Sequence, residues 1–341
     1  MLSEASFCAI IPVDMTDQLE DSAVQPLSEP VALVRLFPPS ALDTLGPAAR
    51  FAWEEFFLGR CRNRHTRTAY ARAVRQFLAW TEKKGTPVER ITPGMVGQYL
   101  DQLSVSPPSK KLVLAALRGF FDALVLRHVL ILNPAACVRA ERYEVIEGRT
   151  PEITADQART LLASIETSNR IGLRDKLIIA TLIYTAARAG AVSKLKRKDL
   201  KHDGSQFILC FGEKGGKLRE IPVRHDLEIL LLEWLNVCPE ISLPDAPLFQ
   251  TAEGRTGIFT GLAMSGTDIW RMVKKRLLLA GLPAHLSPHS FRVATITDLL
   301  NQGVPLGDCQ YLAGHSDPRT TRLYDRRPKK VTRSLVERIS I

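Results

Sequence analysis

Nothing in this 341-residue chain is apolar for long: no run approaches the roughly 20 residues that a membrane-spanning helix needs. The opening, Met1-Leu2-Ser3-Glu4, carries no basic n-region, so a secretory signal is not expected. The six cysteines (Cys8, Cys61, Cys137, Cys210, Cys238 and Cys309) form no Cys-x-x-Cys pair. Neither a zinc site nor a disulfide framework is therefore indicated, and scattered free thiols fit a reducing cytoplasm. The order Gly-x-x-x-x-Gly-Lys-Ser/Thr of a nucleotide-binding phosphate loop is also missing. No internal repeat is visible.

What the chain does have is positive charge, unevenly placed. Its formal net charge is +10. Residues 1–46 hold one basic residue, Arg35, against seven acidic ones, a balance of −6, and the remainder carries +16. A basic body implies a polyanionic partner, most often nucleic acid. The acidic, proline-containing residues 1–46 show no sustained periodicity and read as a tail that is flexible or folds on a partner.

From residue 47 the pattern turns helical. Between Thr66 and Lys84, Tyr70, Val74, Phe77 and Leu78 recur at helical spacing, with Arg67, Arg72 and Arg75 on other faces, and Gly85 ends the run. Pro93–Leu103 reads as a short helix opening at a proline. Ser109–His128 reads as a third, its core face made by Leu112, Leu117, Phe120, Phe121 and Leu124, before Asn133-Pro134 breaks the pattern. Residues 47–140 thus form an expected all-helical domain, and the polar stretch 141–151 a linker.

Residues 152–341 form a second, mixed domain. Thr154-x-x-Gln157 is a capping box opening a helix. Leu173–Arg188 is apolar all round, which predicts a buried helix. Phe207–Phe211 and Leu218–Val223 read as strands of a hairpin joined by Gly212-Glu213-Lys214-Gly215-Gly216-Lys217. Leu227–Val237, Asp268–Ala280 and Phe291–Asn301 are predicted helical, with Gly281 and Gly303 as C-terminal caps. The expected fold is mainly α with a small antiparallel β-sheet.

A chemical constellation runs through this second domain: Arg188, Lys214, His289-x-x-Arg292, His315 and Tyr324. Singly, each has an ordinary explanation: a surface arginine, a solvated turn lysine, a packed tyrosine. Together they suit one chemistry. A phosphodiester repels nucleophiles and gathers charge in its transition state, and arginine offers paired donors matching two phosphate oxygens. Arg188, at the end of an apolar helix, would be a costly unpaired charge without an anion. His289 and Arg292, three apart at a proline-led helix start, project to one side, where helix N-terminal amides add donors. A metal pair of His285 and His289 is disfavoured because Pro288 interrupts the helix an i, i+4 pair needs. Leu312-Ala313-Gly314-His315-Ser316 reads as a helix end with an exposed histidine. Tyr324 would attack phosphorus; since free tyrosine is mostly protonated at neutral pH, nearby cations must favour its phenolate.

The order and spacing of these residues resemble the tyrosine recombinase (phage integrase) family. The resemblance runs from about residue 50 to the end and is densest over Ser287–Arg327. Thr66-Arg67-Thr68-Ala69-Tyr70 looks like the usual entry of its helical, SAM-like core-binding domain, which an α+β catalytic domain follows. The resemblance implies a site-specific recombinase that cuts and rejoins DNA through a 3′-phosphotyrosine link, with no metal, ATP or other cofactor. It gives Lys214 (Lys217 is the alternative) the role of protonating the leaving 5′ oxygen, and His315 a hydrogen bond to the scissile phosphate. It implies double-stranded DNA as partner, a homotetramer on DNA, accessory DNA-bending or directionality factors, and a bacterial cytoplasmic, nucleoid-associated setting. Beyond Tyr324, Val331, Leu335, Val336 and Ile339 recur at helical spacing, and by resemblance this terminal helix docks on a neighbouring subunit.

The chain also departs from the family pattern. Where many members read Thr-Gly-Leu-Arg-x-x-Glu, it reads Thr185-Ala186-Ala187-Arg188-Ala189-Gly190-Ala191, leaving Ala191 at a usually acidic position. Tyr324-Asp325-Arg326-Arg327 is similar to the ending of some bacterial integrases. Two competing readings keep the fold: a type IB topoisomerase that relaxes DNA, and a non-catalytic DNA-binding regulator.

Overall fold

The computed structural model describes residues 37–142, 150–212, 218–254, 256–315, 317–325 and 337–338. The described chain divides into two compact units, one on each side of residues 143–149.

The first unit is helical. A 3-10 turn (Ser40–Leu45) leads into α1 (Pro47–Glu54), which runs on through a π-helical turn to Arg60. Three helices follow: α2 (Arg64–Lys83), α3 (Pro93–Gln102) and α4 (Pro107–Leu126). The side chain of Asn63 caps α2 by accepting from the amides of His65 and Thr66 at 2.9 and 3.2 Å. Gly85, at φ 64°, supplies the left-handed turn that stops it. Most of the predicted core face is real: Val74, Phe77 and Leu78 are fully buried, as are Leu117, Phe120, Phe121 and Leu124, but Leu112, expected on that face, lies in the first turns of α4 and is 42% exposed. Gly119 is required by packing, since a Cβ there would sit 2.6 Å from the Phe56 ring. One boundary differs from expectation. The tail expected through residue 46 is already folded at Ser40, because Leu42 is fully buried in this helical core.

The second unit surrounds one long buried helix. It opens with α5 (Ala155–Ala163), whose capping box closes as the sequence predicts, Thr154 and Gln157 each bonding the other's backbone amide. Helix α6 (Arg170–Thr185) follows, then the short α7 (Ala189–Val192). Strands β1 (Leu200–His202), β2 (Phe207–Gly212) and β3 (Leu218–Pro222) form an antiparallel sheet in that order. Next come α8 (His225–Val237), a second two-stranded sheet of β4 (Gln250–Ala252) and β5 (Phe259–Ala263), and α9 (Gly266–Leu279). The chain continues through α10 (Pro288–Asn301), α11 (Leu306–Ala313) and α12 (Pro318–Arg322). Gly281 and Gly303 take left-handed φ values of 67° and 84° after α9 and α10, the cap positions expected.

Helix α6 is the structural axis, its Leu177, Ile178, Ile179, Ala180 and Leu182 all fully buried. It also buries a charge cluster. Asp175 accepts from Arg174 at 2.8 and 3.1 Å and from Arg276 of α9 at 2.7 and 2.9 Å. Removing the carboxylate leaves buried Arg174 and partly buried Arg276 without their shared partner. Asp175→Ala is therefore expected to cost about 3–5 kcal/mol, read as a lowered urea midpoint at unchanged slope. A loss under ~1 kcal/mol would mean that the arginines reach solvent instead.

Among the described residues no helix is long and apolar enough to cross a membrane.

Candidate active site

The end of α6 sets the site. The sequence predicts a buried helix through Arg188; the helix ends at Thr185 instead. Ala186 turns the chain in the left-handed region (φ 49°, ψ 23°), and Arg188 becomes the extended N-cap of α7. The side chain of Arg188 is exposed. The argument from a costly buried charge thus fails at this residue, because the turn at Ala186 carries it out to the surface. It still acts on its neighbours: its charge lowers the proton affinity of His289, Arg292 and His315.

Arg292 is the buried cation. It lies one turn into α10 and is 1% exposed. Its two terminal nitrogens donate to Ala186 O, at the end of α6, and to Ala313 O, at the end of α11. One guanidinium thereby fastens the ends of two helices, and its Nε has no partner. Desolvation first, then repulsion from Arg188, brings its pKa down to about 10. No carboxylate of the described residues pairs with Arg188 or Arg292.

Tyr324 follows α12 and is 7% exposed. It packs against Ala186, Val293, Ile296, Leu300, Cys309 and Ala313. Its backbone is pinned twice: the amide donates to Thr321 O at 3.0 Å, and Thr297 donates its hydroxyl to Tyr324 O at 3.2 Å. Its hydroxyl lies 3.0 Å from His289 Nε2. His289 is an exposed residue, yet partial loss of hydration, then the charges of Arg292 and Arg188, holds its pKa below the ordinary histidine value. A neutral imidazole there can accept the phenol proton.

His315 corrects the sequence reading. It was expected exposed at a helix end; it is 6% exposed. Gly314, left-handed at φ 60°, folds the chain back so that the imidazole stacks on the Tyr324 ring, 5.4 Å between centroids and 14° from parallel. Its Nδ1 meets Thr321 Oγ at 2.8 Å, and its buried Nε2 has no partner. Burial, then Arg292, Arg188, His289 and Arg219, drives its pKa down to about 3. Between that value and the ordinary one near 6.5, the unfolded chain binds a proton that the native site refuses. Stability is therefore fully present above about pH 6.5 and falls as pH drops toward 3. A His315→Gln variant is expected to flatten that stretch of a Tm-against-pH curve; an unchanged slope would place the acid sensitivity elsewhere.

Five of the six predicted site residues lie among the described ones: Arg188, His289, Arg292, His315 and Tyr324. His289, Arg292 and His315 gather at Tyr324, with Arg188 close enough to act through its charge. Lys214 and Lys217 lie outside the described residues, between paired Gly212 and Leu218. Ala191 sits in α7, its amide bonded to Arg188 O at 2.8 Å. Sequence reasoning missed Thr297, Thr321 and Arg219. Only Arg219 left a signal: it falls with Ile221 on the inward-facing positions of β3, where an arginine is out of place.

Residues 151–330 match the model of the phage integrase family, and residues 52–128 match the phage integrase N-terminal SAM-like domain. Tyrosine recombinase XerD of Listeria monocytogenes is 29% identical over 76% of this chain and 87% of its own length. Among solved structures, the XerH site-specific recombinase in its post-cleavage complex with palindromic difH substrate superposes with a TM-score of 0.65 at 20% identity, covering 83% of this chain and 82% of that one. A lambda integrase tetramer bound to a Holliday junction gives 0.58 at 20% identity, covering 89% and 84%. At such identities the structures establish a common fold. The catalytic-domain match alone spans more than half the chain: this protein belongs to the phage integrase family, the tyrosine recombinases that cleave and rejoin DNA without metal or ATP.

Proposed function

We propose that Tyr324 is the nucleophile of this recombinase and that the cations around it form the phosphate site. One observation carries the assignment. Among the described residues, His289 meets the Tyr324 hydroxyl, His315 stacks on its ring, and Arg292 and Arg188 lie close enough to act by charge, with no carboxylate paired to either arginine; two buried nitrogens, Arg292 Nε and His315 Nε2, lack partners. A scissile phosphate supplies both the missing negative charge and the missing acceptors.

In this reading Arg188 and Arg292 hold the non-bridging oxygens, and His315 donates to one of them from Nε2. Neutral His289 takes the proton of Tyr324 as its oxygen bonds to phosphorus. The P–O5′ bond breaks, and Lys214, or Lys217, protonates the departing oxygen. The 3′-phosphotyrosine conserves the bond energy, so a 5′ hydroxyl of another strand can attack it: that hydroxyl gives its proton to the lysine as its oxygen bonds to phosphorus, the Tyr324–phosphorus bond breaks, and the tyrosine oxygen takes its proton back from His289. The DNA partner follows from the +16 balance beyond residue 46 and from the complexes that XerH and lambda integrase form. Assembly as four copies on two duplexes follows the lambda integrase tetramer. The terminal residues Val331, Leu335, Val336 and Ile339, proposed to dock on a neighbouring copy, lie outside the described residues. The bacterial cytoplasm, at the nucleoid, is the proposed setting, with DNA-bending or directionality factors as accessory partners.

Covalent capture tests the assignment. The protein is incubated with nicked DNA fragments from its native locus, denatured and digested, and the DNA-linked peptide is sequenced. The expected product is a 3′ adduct on the peptide containing Tyr324. Relaxation of plasmids lacking any such site would favour the topoisomerase reading; tight, specific binding without an adduct would favour the regulator.

A further inference from the structure

We infer that Arg219 is a positioning residue for DNA cleavage: from β3 it holds the end of α11 and so fixes the Gly314-His315 turn against Tyr324. The inference rests on the site reading above and adds a residue to it. The carbonyls at the end of a helix have no partners within it, and here all four can be accounted for. The amide of His315 donates to Gln310 O at 3.1 Å and that of Gly314 to Tyr311 O at 2.9 Å. Arg292 takes Ala313 O, and Arg219 takes Leu312 O. Two arginines from different elements thus close the turn from which His315 folds onto the tyrosine. One belongs to the phosphate site; the other lies on the strand entered from the Lys214 hairpin.

Stability is a poor explanation for Arg219. It is 5% exposed, at an inward position of a strand, with its guanidinium 4.9 Å over the Phe211 ring. Desolvating a guanidinium costs several kcal/mol, and an apolar side chain would fill that position more cheaply. What an apolar residue cannot do is donate to Leu312 O or place a charge beside the site. The charge of Arg219 also opposes protonation of His315 and Arg292, a smaller contribution than burial and the charge of Arg188.

The test is a double-mutant cycle on single-turnover cleavage of nicked native-locus DNA at saturating protein. Wild type, Arg219→Met, His315→Ala and the double variant are compared, with Arg219→Lys as the conservative control. Arg219→Met is expected to bind DNA with unchanged affinity and to cleave about 10- to 100-fold more slowly, the scale on which small misplacements act. Arg219→Lys, which keeps a donor and the charge, is expected to recover most of the rate. In the His315→Ala background the same Arg219→Met change should cost less than about threefold, because the group it positions is gone. Additive losses would overturn the proposal and leave Arg219 a structural residue, as would an unchanged rate in a folded Arg219→Met. Should Arg219→Met fail to fold, Arg219→Gln takes its place in the same cycle: a loss that shrinks below about threefold in the His315→Ala background would support the coupling, and equal losses in both backgrounds would overturn it. Wild type forming no adduct at all would instead bring down the site reading on which the proposal stands.

Discussion

Replacing Tyr324 with phenylalanine is expected to abolish the covalent protein–DNA adduct while leaving fold and DNA affinity in place. The ring does the packing: it fills a pocket against Ala186, Val293, Cys309 and Ala313 and carries the stacked His315 imidazole. Phenylalanine keeps every one of these contacts. What is lost is one hydrogen bond, to His289 Nε2 at 3.0 Å, worth about 0.5–1.5 kcal/mol. Single-turnover cleavage, by contrast, should drop by on the order of 10⁴-fold or more, since a nucleophile has no partial substitute. The measurement is adduct formation on a denaturing gel beside a thermal melt. Residual adduct at a few per cent of wild type would move the nucleophile elsewhere. A fall in Tm equivalent to more than about 2 kcal/mol would mean that the hydroxyl supports the fold more than one such bond allows.

Arg292→Lys is expected to fail almost as completely as Arg292→Ala. The guanidinium donates in two directions at once, to Ala186 O and Ala313 O, and leaves its Nε edge for a third acceptor. A single ammonium on a flexible stem cannot span two carbonyls and still meet a phosphate oxygen. Both variants should lose at least about 10²- to 10³-fold in cleavage, the usual cost of removing one preorganised donor from developing charge. Stability moves less. Two buried carbonyls lose donors at about 1–3 kcal/mol each, offset by removal of a desolvated charge that Arg188 repels. The net loss is expected to stay below about 3 kcal/mol, read from urea denaturation. A lysine variant with near-normal cleavage would show that charge alone, not the two-way fork, is what the site needs.

Much of the architecture could be read from periodicity and capping. Val74, Phe77 and Leu78 recur on one helical face, and Thr154 with Gln157 closes a box within four residues; both are local signals, and both survive folding. The sheet of β4 and β5 was not legible, because three and five residues without clean alternation carry no period. Site chemistry was legible as residue types in order. Site geometry was not, where it depended on single backbone turns. Ala186 in a left-handed conformation sends Arg188 outward, and left-handed Gly314 sends His315 inward, reversing both expected exposures. Arg219 left one local signal, its inward position on β3, but its partner is a carbonyl 93 positions away, which no local pattern records.

The near-complete enclosure of Tyr324 has a bearing on what happens between cutting and joining. A phosphotyrosine is a phosphodiester, and water could in principle discharge it as a strand end does. With the tyrosine 7% exposed, backed by aliphatic side chains and faced by two imidazoles, bulk water has little approach to its phosphorus. A tethered 5′ hydroxyl delivered by the duplex arrives at a far higher effective concentration than a stray solvent molecule can match there. On the proposed assignment of Tyr324 as nucleophile, the burial that orders it also guards against a permanent strand break: a paused reaction waits with its end capped rather than leaking into an open nick.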